Sequence, residues 1–271
     1  MNRILAAMSC ALTFATATPM VGWAGEIDLA SFRAIYDIRL AQAHGGAGVG
    51  AVTGRIVYGV EKTCDAWIIN QTGLMRLQML EGDTLDQPLN FSSWEADDGA
   101  HYRFSVPADG DHDEAILGSA DMKPTGGTVV FTRPSAEIFD LPAGTVFPVQ
   151  HTRHVIEQAR AGTRQFQNTI FEGTDVEGAK LLVTFISPLA KGVRAAVKKA
   201  LGESVDPALD HPGWNFRMAY FDPANRTGEP LYEIEADYLD NGVPLRWLLD
   251  YGPYSVEMIL GGFETLPPPE C

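Results

Sequence analysis

Residues 31–40 read "SFRAIYDIRL". Phe32, Ala34, Tyr36, Ile38 and Leu40 fall on one face of an extended chain, and Arg33, Asp37 and Arg39 on the other. A period of two describes a strand with one side in a core and one in water. The pattern recurs at 49–60 (Val52, Ile56, Tyr58, Val60) and in "DAWIIN" (65–70), "GLMRLQML" (73–80), "LNFSSWEA" (89–96), "AHYRFSVP" (100–107) and "GTVVFTRP" (127–134). It returns in "PLYEIEADYLD" (230–240), "VPLRWLLDYG" (243–252) and "YSVEMILGGFETL" (254–266). Gly, Pro, Asp or Asn bounds each run. Asp240-Asn241-Gly242 joins two of them, and its Asn-Gly pair offers two residues comfortable at positive φ, as a tight hairpin asks. At least ten strands with short connections predict a mainly all-β fold, a large antiparallel sheet curled over its own apolar face.

Two stretches interrupt the alternation. Residues 143–162, "AGTVFPVQHTRHVIEQARAG", predict the main helix. Pro148 is an early helical residue, Val149, Val155, Ile156 and Ala159 form its apolar side, and Gly162 is its stop. Residues 187–202 predict a weaker helix, with Ser187 as cap, Pro188 in the first turn and Gly202 at the end; Gly192 inside it argues against the assignment. Its Lys191, Arg194 and Lys198 are the basic cluster of an acidic chain. The cluster reads as a solvated helix face or loop, with a docking face for anionic lipid or an acidic partner as the alternative.

The chain has 271 residues, with 35 acidic against 20 basic ones and a formal net charge of −15. That charge repels nucleic-acid phosphate, so nucleic-acid partners are not expected. Residues 1–24 read as a secretory signal peptide. Arg3 is the positive start, Ile4–Ala17 the apolar run, and Gly22-Trp23-Ala24 the cleavage site, leaving 25–271 as a single domain. A membrane helix is the weaker reading, because a span needs roughly 20 apolar residues. Cys10 lies too early for lipoprotein attachment and leaves with the signal. A soluble periplasmic protein with no membrane span is expected.

Cys64 and Cys271 then remain, and in an oxidising compartment two cysteines are most simply paired; two independent thiols are the alternative. The bridge would close a loop of about 208 residues, which the chain-entropy model values at roughly 5 kcal/mol. The proline arm "LPPPEC" (266–271) suits such a tether, because it is already extended and loses little entropy when held.

Signatures of chemistry are weak. Gly46, Gly48 and Ala51 match a dinucleotide-binding spacing, but the next residues alternate like a strand, so a hairpin glycine loop is expected. Asp109, Asp111 and Asp113 begin like a calcium loop, yet Glu114 and Ala120 stand where glycine and glutamate are needed, and a solvated turn is expected. His151 and His154 share a helix face without a third metal ligand nearby in sequence. No metal, cofactor, catalytic residue or enzymatic activity is expected. Trp67, Trp94, Trp214 and Trp247 lie in strands and are read mostly as core, with a ligand cavity inside the curled sheet as the alternative.

The segments "FRAIYDIRLAQA" (32–43), "TCDAW" (63–67), "SSWEADDGAHYRFSV" (92–106), "AEIFDLPAGTVFPVQHTRHVIEQARAG" (136–162), "EADYLDNGVPLRWLLDYG" (235–252) and "FETLPPPEC" (263–271) resemble the EipB-like family of periplasmic cell-envelope integrity proteins. The resemblance covers nearly all of 25–271; segment 189–213 does not match. It implies a sheet wound as an incomplete barrel or β-spiral around a helix. It also implies a disulfide between Cys64 and Cys271, and a non-enzymatic role in envelope integrity under stress. The function expected is binding of a protein or apolar envelope component. A lipid or lipoprotein carrier with an internal cavity is the alternative, and an envelope hydrolase a third reading.

Overall fold

The alternating runs form strands, and more of them than their pattern announces. The structure, a computed structural model, describes residues 27–46, 48–108, 114–202, 206–224 and 228–271. The proposed signal peptide, Cys10 and the Asp109–Asp113 motif lie outside these. In chain order the elements are β1 (Phe32–Ala43), β2 (Val49–Lys62), β3 (Ala66–Met79), β4 (Thr84–Pro88), β5 (Phe91–Ala96), β6 (His101–Val106), β7 (Ile116–Lys123), β8 (Gly126–Arg133), β9 (Glu137–Leu141) and β10 (Thr145–Val146). Then follow α1 (Pro148–Arg160), β11 (Gln165–Ile170), β12 (Lys180–Pro188), α2 (Val193–Leu201), β13 (Gly213–Phe221), β14 (Tyr232–Leu239), β15 (Pro244–Asp250) and β16 (Tyr254–Thr265). Residues 65–70 and 73–80, which alternate as two runs, belong to the single strand β3, paired with β2 along nearly its whole length.

Among the described residues the strands make one 16-stranded sheet in the order β10-β11-β12-β13-β14-β15-β16-β1-β2-β3-β5-β6-β7-β8-β9, with β4 beside the second half of β3. The first and last strands therefore pair in the middle of the sheet, Arg39 opposite Glu257 and Phe32 opposite Thr265. The two edges come from the middle of the chain and are separated by residues 142–144. β10 runs parallel to β11; the other ladders are antiparallel. The edges do not meet. Phe147, directly after β10, stacks on Tyr102 of β6 at 4.8 Å, and Phe171, directly after β11, meets Phe104 at 5.4 Å. The β10 end is thus tucked against the inward face of β6–β8 while β9 continues past it. The sheet overlaps itself as a spiral and is not a closed ring.

α1 fills the curl. Val149, His151, Val155, Ile156 and Ala159 are buried, and the four apolar ones share a core with Phe32, Tyr36, Ile56, Ile69, Phe216 and Leu260 from both halves of the sheet. Full burial of a side chain such as Ile156 contributes about 1.5–3 kcal/mol. Pro148 starts the helix and Gly162 follows its end, donating its N–H to Ala159 O at 3.0 Å. Tyr36 is fully buried and donates its hydroxyl to Pro244 O at 2.7 Å, so its polar tip is satisfied inside the core.

Two local expectations are corrected. The 240–242 turn does not use two positive-φ residues: Gly242 has φ 82°, and no non-glycine among the described residues has positive φ. Gly242 N–H donates to Leu239 O at 3.0 Å and Leu239 N–H to Val243 O at 2.9 Å, giving a three-residue loop with one left-handed position. In the second helix, Ser187 and Pro188 are the last residues of β12, paired with Asn215 and Trp214. The ladder wins over capping. Gly192, at φ 89°, stands at the N-cap of α2 instead of inside it.

Candidate functional site

Four segments converge at one end of the barrel: the β2–β3 turn, the turn after β5, the first turns of α1 and the chain's last residues. Ser31 begins the arrangement. Its Oγ accepts from Lys62 N at 2.9 Å and its carbonyl accepts from Leu266 N at 2.9 Å, so it holds the strand ends on both sides of β1. Thr63 closes the β2–β3 turn by donating its N–H to Ala66 O at 2.8 Å and accepting from Ala66 N at 3.1 Å. Cys64 sits in that turn. The tail crosses from β16 past the start of β1, and Cys271 is joined to Cys64 in a disulfide with Cα atoms 5.7 Å apart, 207 residues distant in sequence.

Beside the bridge lies a charged cluster that docks the helix. Phe147, at the N-cap of α1, has no side-chain cap of its own. Glu95 of β5 supplies the missing acceptors: Val149 N donates to its Oε2 at 2.7 Å and Gln150 N to its Oε1 at 2.8 Å. A carboxylate at this end also meets the positive pole of the helix. Burial pushes the Glu95 carboxyl up to about 7, against the two backbone N–H donors and the charge of Arg153, which pull it down. Asp97 accepts from Trp67 Nε1 at 2.9 Å and Arg153 Nη2 at 2.7 Å and pairs with Lys62 Nζ at 2.6 Å. Burial opposes its ionisation, but hydrogen bonds from Lys62, Arg153 and Trp67 outweigh that and hold it well below the usual carboxylate range. The Lys62 and Arg153 cations lie 5.1 and 5.6 Å from the Trp67 ring centre. The cluster thus ties β2, β3, the β5–β6 turn and α1 together next to the sulfur bridge.

The space under α1 is nearly closed. A residual cavity of about 20 Å³ lies among Phe32, Tyr58, Ile69, Val149 and Tyr238, enough for about one water molecule. The larger depressions are on the outside. One of about 530 Å³ is lined by Trp94, Arg103, Leu117 and the hydroxyls of Ser92, Ser105 and Thr132. Another of about 360 Å³ is lined by Phe185, Arg217, Glu233 and Leu248.

The other singled-out residues are separated from this site or engaged in structure. Gly46 and Gly48 take positive φ in the β1–β2 hairpin, and the next element is a strand. His151 is buried, with Nδ1 3.3 Å from Asn168 Nδ2; burial, then the charge of His154, pushes its imidazole down to about 3. His154 lies against the Phe166 ring at 5.1 Å. No metal-capable group of three or more His, Cys, Asp or Glu occurs among the described residues. Trp67 is buried, whereas Trp94 points outward with Arg103 5.0 Å from its ring centre. Sequence reasoning passed over Glu95, Asp97 and Arg153. The available signal was parity: with Phe91, Ser93 and Glu95 alternating against Ser92, Trp94 and Ala96, a pairing that turns Trp67 inward must turn Glu95 inward too. No described helix is long and apolar enough to cross a membrane.

A curled, self-overlapping sheet with a helix in its bore and a sulfur bridge across its open end defines a barrel-like β protein. Its architecture is shared with a crystal structure of a β-barrel-like protein of a domain of unknown function from Brucella abortus, at TM-score 0.75 and 24% identity over 89% of this chain and 100% of that one. The chain belongs to the EipB-like family, which it matches over residues 23–267. It is 28% identical over 264 residues to the cell envelope integrity protein EipB of Brucella abortus strain 2308, covering 94% of this chain and 91% of that protein.

Proposed function

We propose that this protein is a non-enzymatic periplasmic factor for cell-envelope integrity, a single domain exported by its N-terminal signal peptide. It is closed by the Cys64–Cys271 bridge and acts by binding an envelope protein or apolar component on its outer surface. The name of its Brucella relative supports the envelope role. The observation that carries the mode of action is the filled bore: with α1 in place, the cavity beneath it among Phe32, Tyr58 and Val149 measures about 20 Å³, far below the roughly 300 Å³ at which small-molecule pockets begin. A carrier would have to expel α1, which Glu95, Asp97 and the apolar core hold. Burial pushes up two carboxyls of the kind a hydrolase would need, Glu95 and Glu172, but Glu95 is 1% exposed and occupied by two helix N–H groups, and Glu172 accepts from the Tyr232 hydroxyl at 3.2 Å. The test is fractionation of the producing cell followed by native mass spectrometry of the protein from envelope extract. Periplasmic protein with no lipid enclosed in its bore is expected; a stoichiometric lipid that stays with the folded protein through detergent washing would replace the outer-surface reading with the carrier.

A further inference from the structure

The overlapping sheet leaves one edge outside. β9 pairs with β8 from Gly127 opposite Leu141 to Phe131 opposite Glu137, and no described strand pairs with its other side. Natural edge strands are usually blunted by shortness, charge, proline, a bulge or a cover. β9 is short and carries Glu137 and Asp140, but Glu137–Asp140 are all exposed, nothing among the described residues covers them, and the strand has neither lysine nor proline. Its centre is apolar on both faces. Ile138 is 71% exposed and continues an outward row through Val130, Ser119, Arg103, Trp94 and Ile68. Phe139 turns inward, edge-on to Phe131 at 5.8 Å, and forms the unfinished rim of the aromatic core of Tyr102, Phe104 and Phe171.

We propose that the free edge of β9 is a docking site for an extended segment of another protein, which adds as a further strand. Its backbone would pair with the open N–H and C=O groups, and small β-branched side chains on its two faces would cover Ile138 and Phe139. Glu137 and Asp140 flank the apolar centre, and the chain carries a net charge of −15, so the segment that fits has basic residues around an apolar middle. A second copy fits poorly: antiparallel pairing about Phe139 would set Ile138 against the other Asp140 and bring two strongly acidic molecules together. The inference rests on the outer-surface reading above and names the kind of partner it takes.

The test uses the full chain and a synthetic peptide, Lys-Val-Thr-Val-Thr-Val-Lys, with a control in which the central valine is proline. Backbone amide hydrogen exchange of Glu137–Leu141 and titration calorimetry report binding. Expected are new protection confined to β9, about tenfold weaker binding of the proline peptide, and about tenfold weaker binding by Ile138→Lys. Melting of Ile138→Lys should match the parent, since that side chain is largely solvated. Protection elsewhere, equal binding by Ile138→Lys, or a dimer through β9 in sedimentation would each overturn the proposal. None of these outcomes touches the lipid measurement, so the two readings fail separately.

Discussion

Replacing Cys271 with alanine is the sharpest test of how the fold is held. The tail from Glu264 to Cys271 is mostly exposed, and its last ladder contact is Leu266 N–H to Ser31 O. Cutting the tether therefore removes few folded-state contacts, and the effect must come from the unfolded chain, which regains the freedom of a loop closed across 207 residues. The chain-entropy relation values that freedom at roughly 5 kcal/mol, an upper figure because unfolded chains keep residual structure. With a urea dependence of about 2–3 kcal/mol per molar, the unfolding midpoint should fall by about 2 M. The assay is urea unfolding followed by tryptophan fluorescence, for the parent with and without reductant and for Cys271→Ala, Cys64→Ala and the double variant. Both single variants and the double one should lose the same amount, because either sulfur alone closes nothing. Reduction should match them. Coincident midpoints for the bridged and unbridged chains would refute the reasoning, as would a double variant much weaker than either single one.

Glu95 makes stability depend on pH. Its folded carboxyl titrates near 7, against 4.5 for a free one, so between those values the folded protein keeps a proton that the unfolded chain releases. Its contribution is fully present below pH 4.5 and is lost as pH rises to 7, about 3 kcal/mol in all; Glu95→Gln should flatten that slope in denaturation curves taken from pH 5 to 8. Asp97→Ala should cost about 2–4 kcal/mol, since Lys62 and Arg153 are left partly buried without their counter-charge, and the freed Trp67 should report it as a shift in fluorescence. Gly242→Ala should cost about 1–2 kcal/mol in thermal melting, because φ 82° is strained for alanine and its Cβ would approach Leu29 Cδ2 to 2.6 Å.

Much of this architecture is legible in the residues, and the gaps have physical causes. Period-two runs such as 31–40 report a half-buried face directly. "QFQNTI" in β11 does not, because the strand lies beside the helix-filled bore and polar Asn168 turns inward toward His151. β9 escapes notice for the opposite reason: Glu137–Asp140 are all exposed, so no alternation survives. The helix α1 is plain from Pro148 to Gly162, yet its cap is not, since the acceptor Glu95 lies 54 residues earlier than Val149. Trp94 misleads because size suggests burial; the register that buries Trp67 decides otherwise. Once Cys10 is read as part of a signal peptide, pairing of Cys64 with Cys271 is the simplest reading of the two cysteines left, but Lys62, Asp97 and Arg153 beside it are ordinary surface residues until the strands are aligned.

The seam between β1 and β16 sets an order of events for the newly made chain. Each half of the sheet is built mainly of neighbouring hairpins that can form early, but the ladder that unites them joins residues more than 200 positions apart (Arg39 with Glu257, for example). Contacts that distant form late and slowly. Essentially the whole span from β1 to β16 must be present before the two halves can be zipped, and oxidation of Cys271 with Cys64 serves as a latch applied after assembly, not a guide to it. Chains shortened at the carboxyl end would be left as two open wings with apolar inner faces, the form a quality-control protease is best placed to remove.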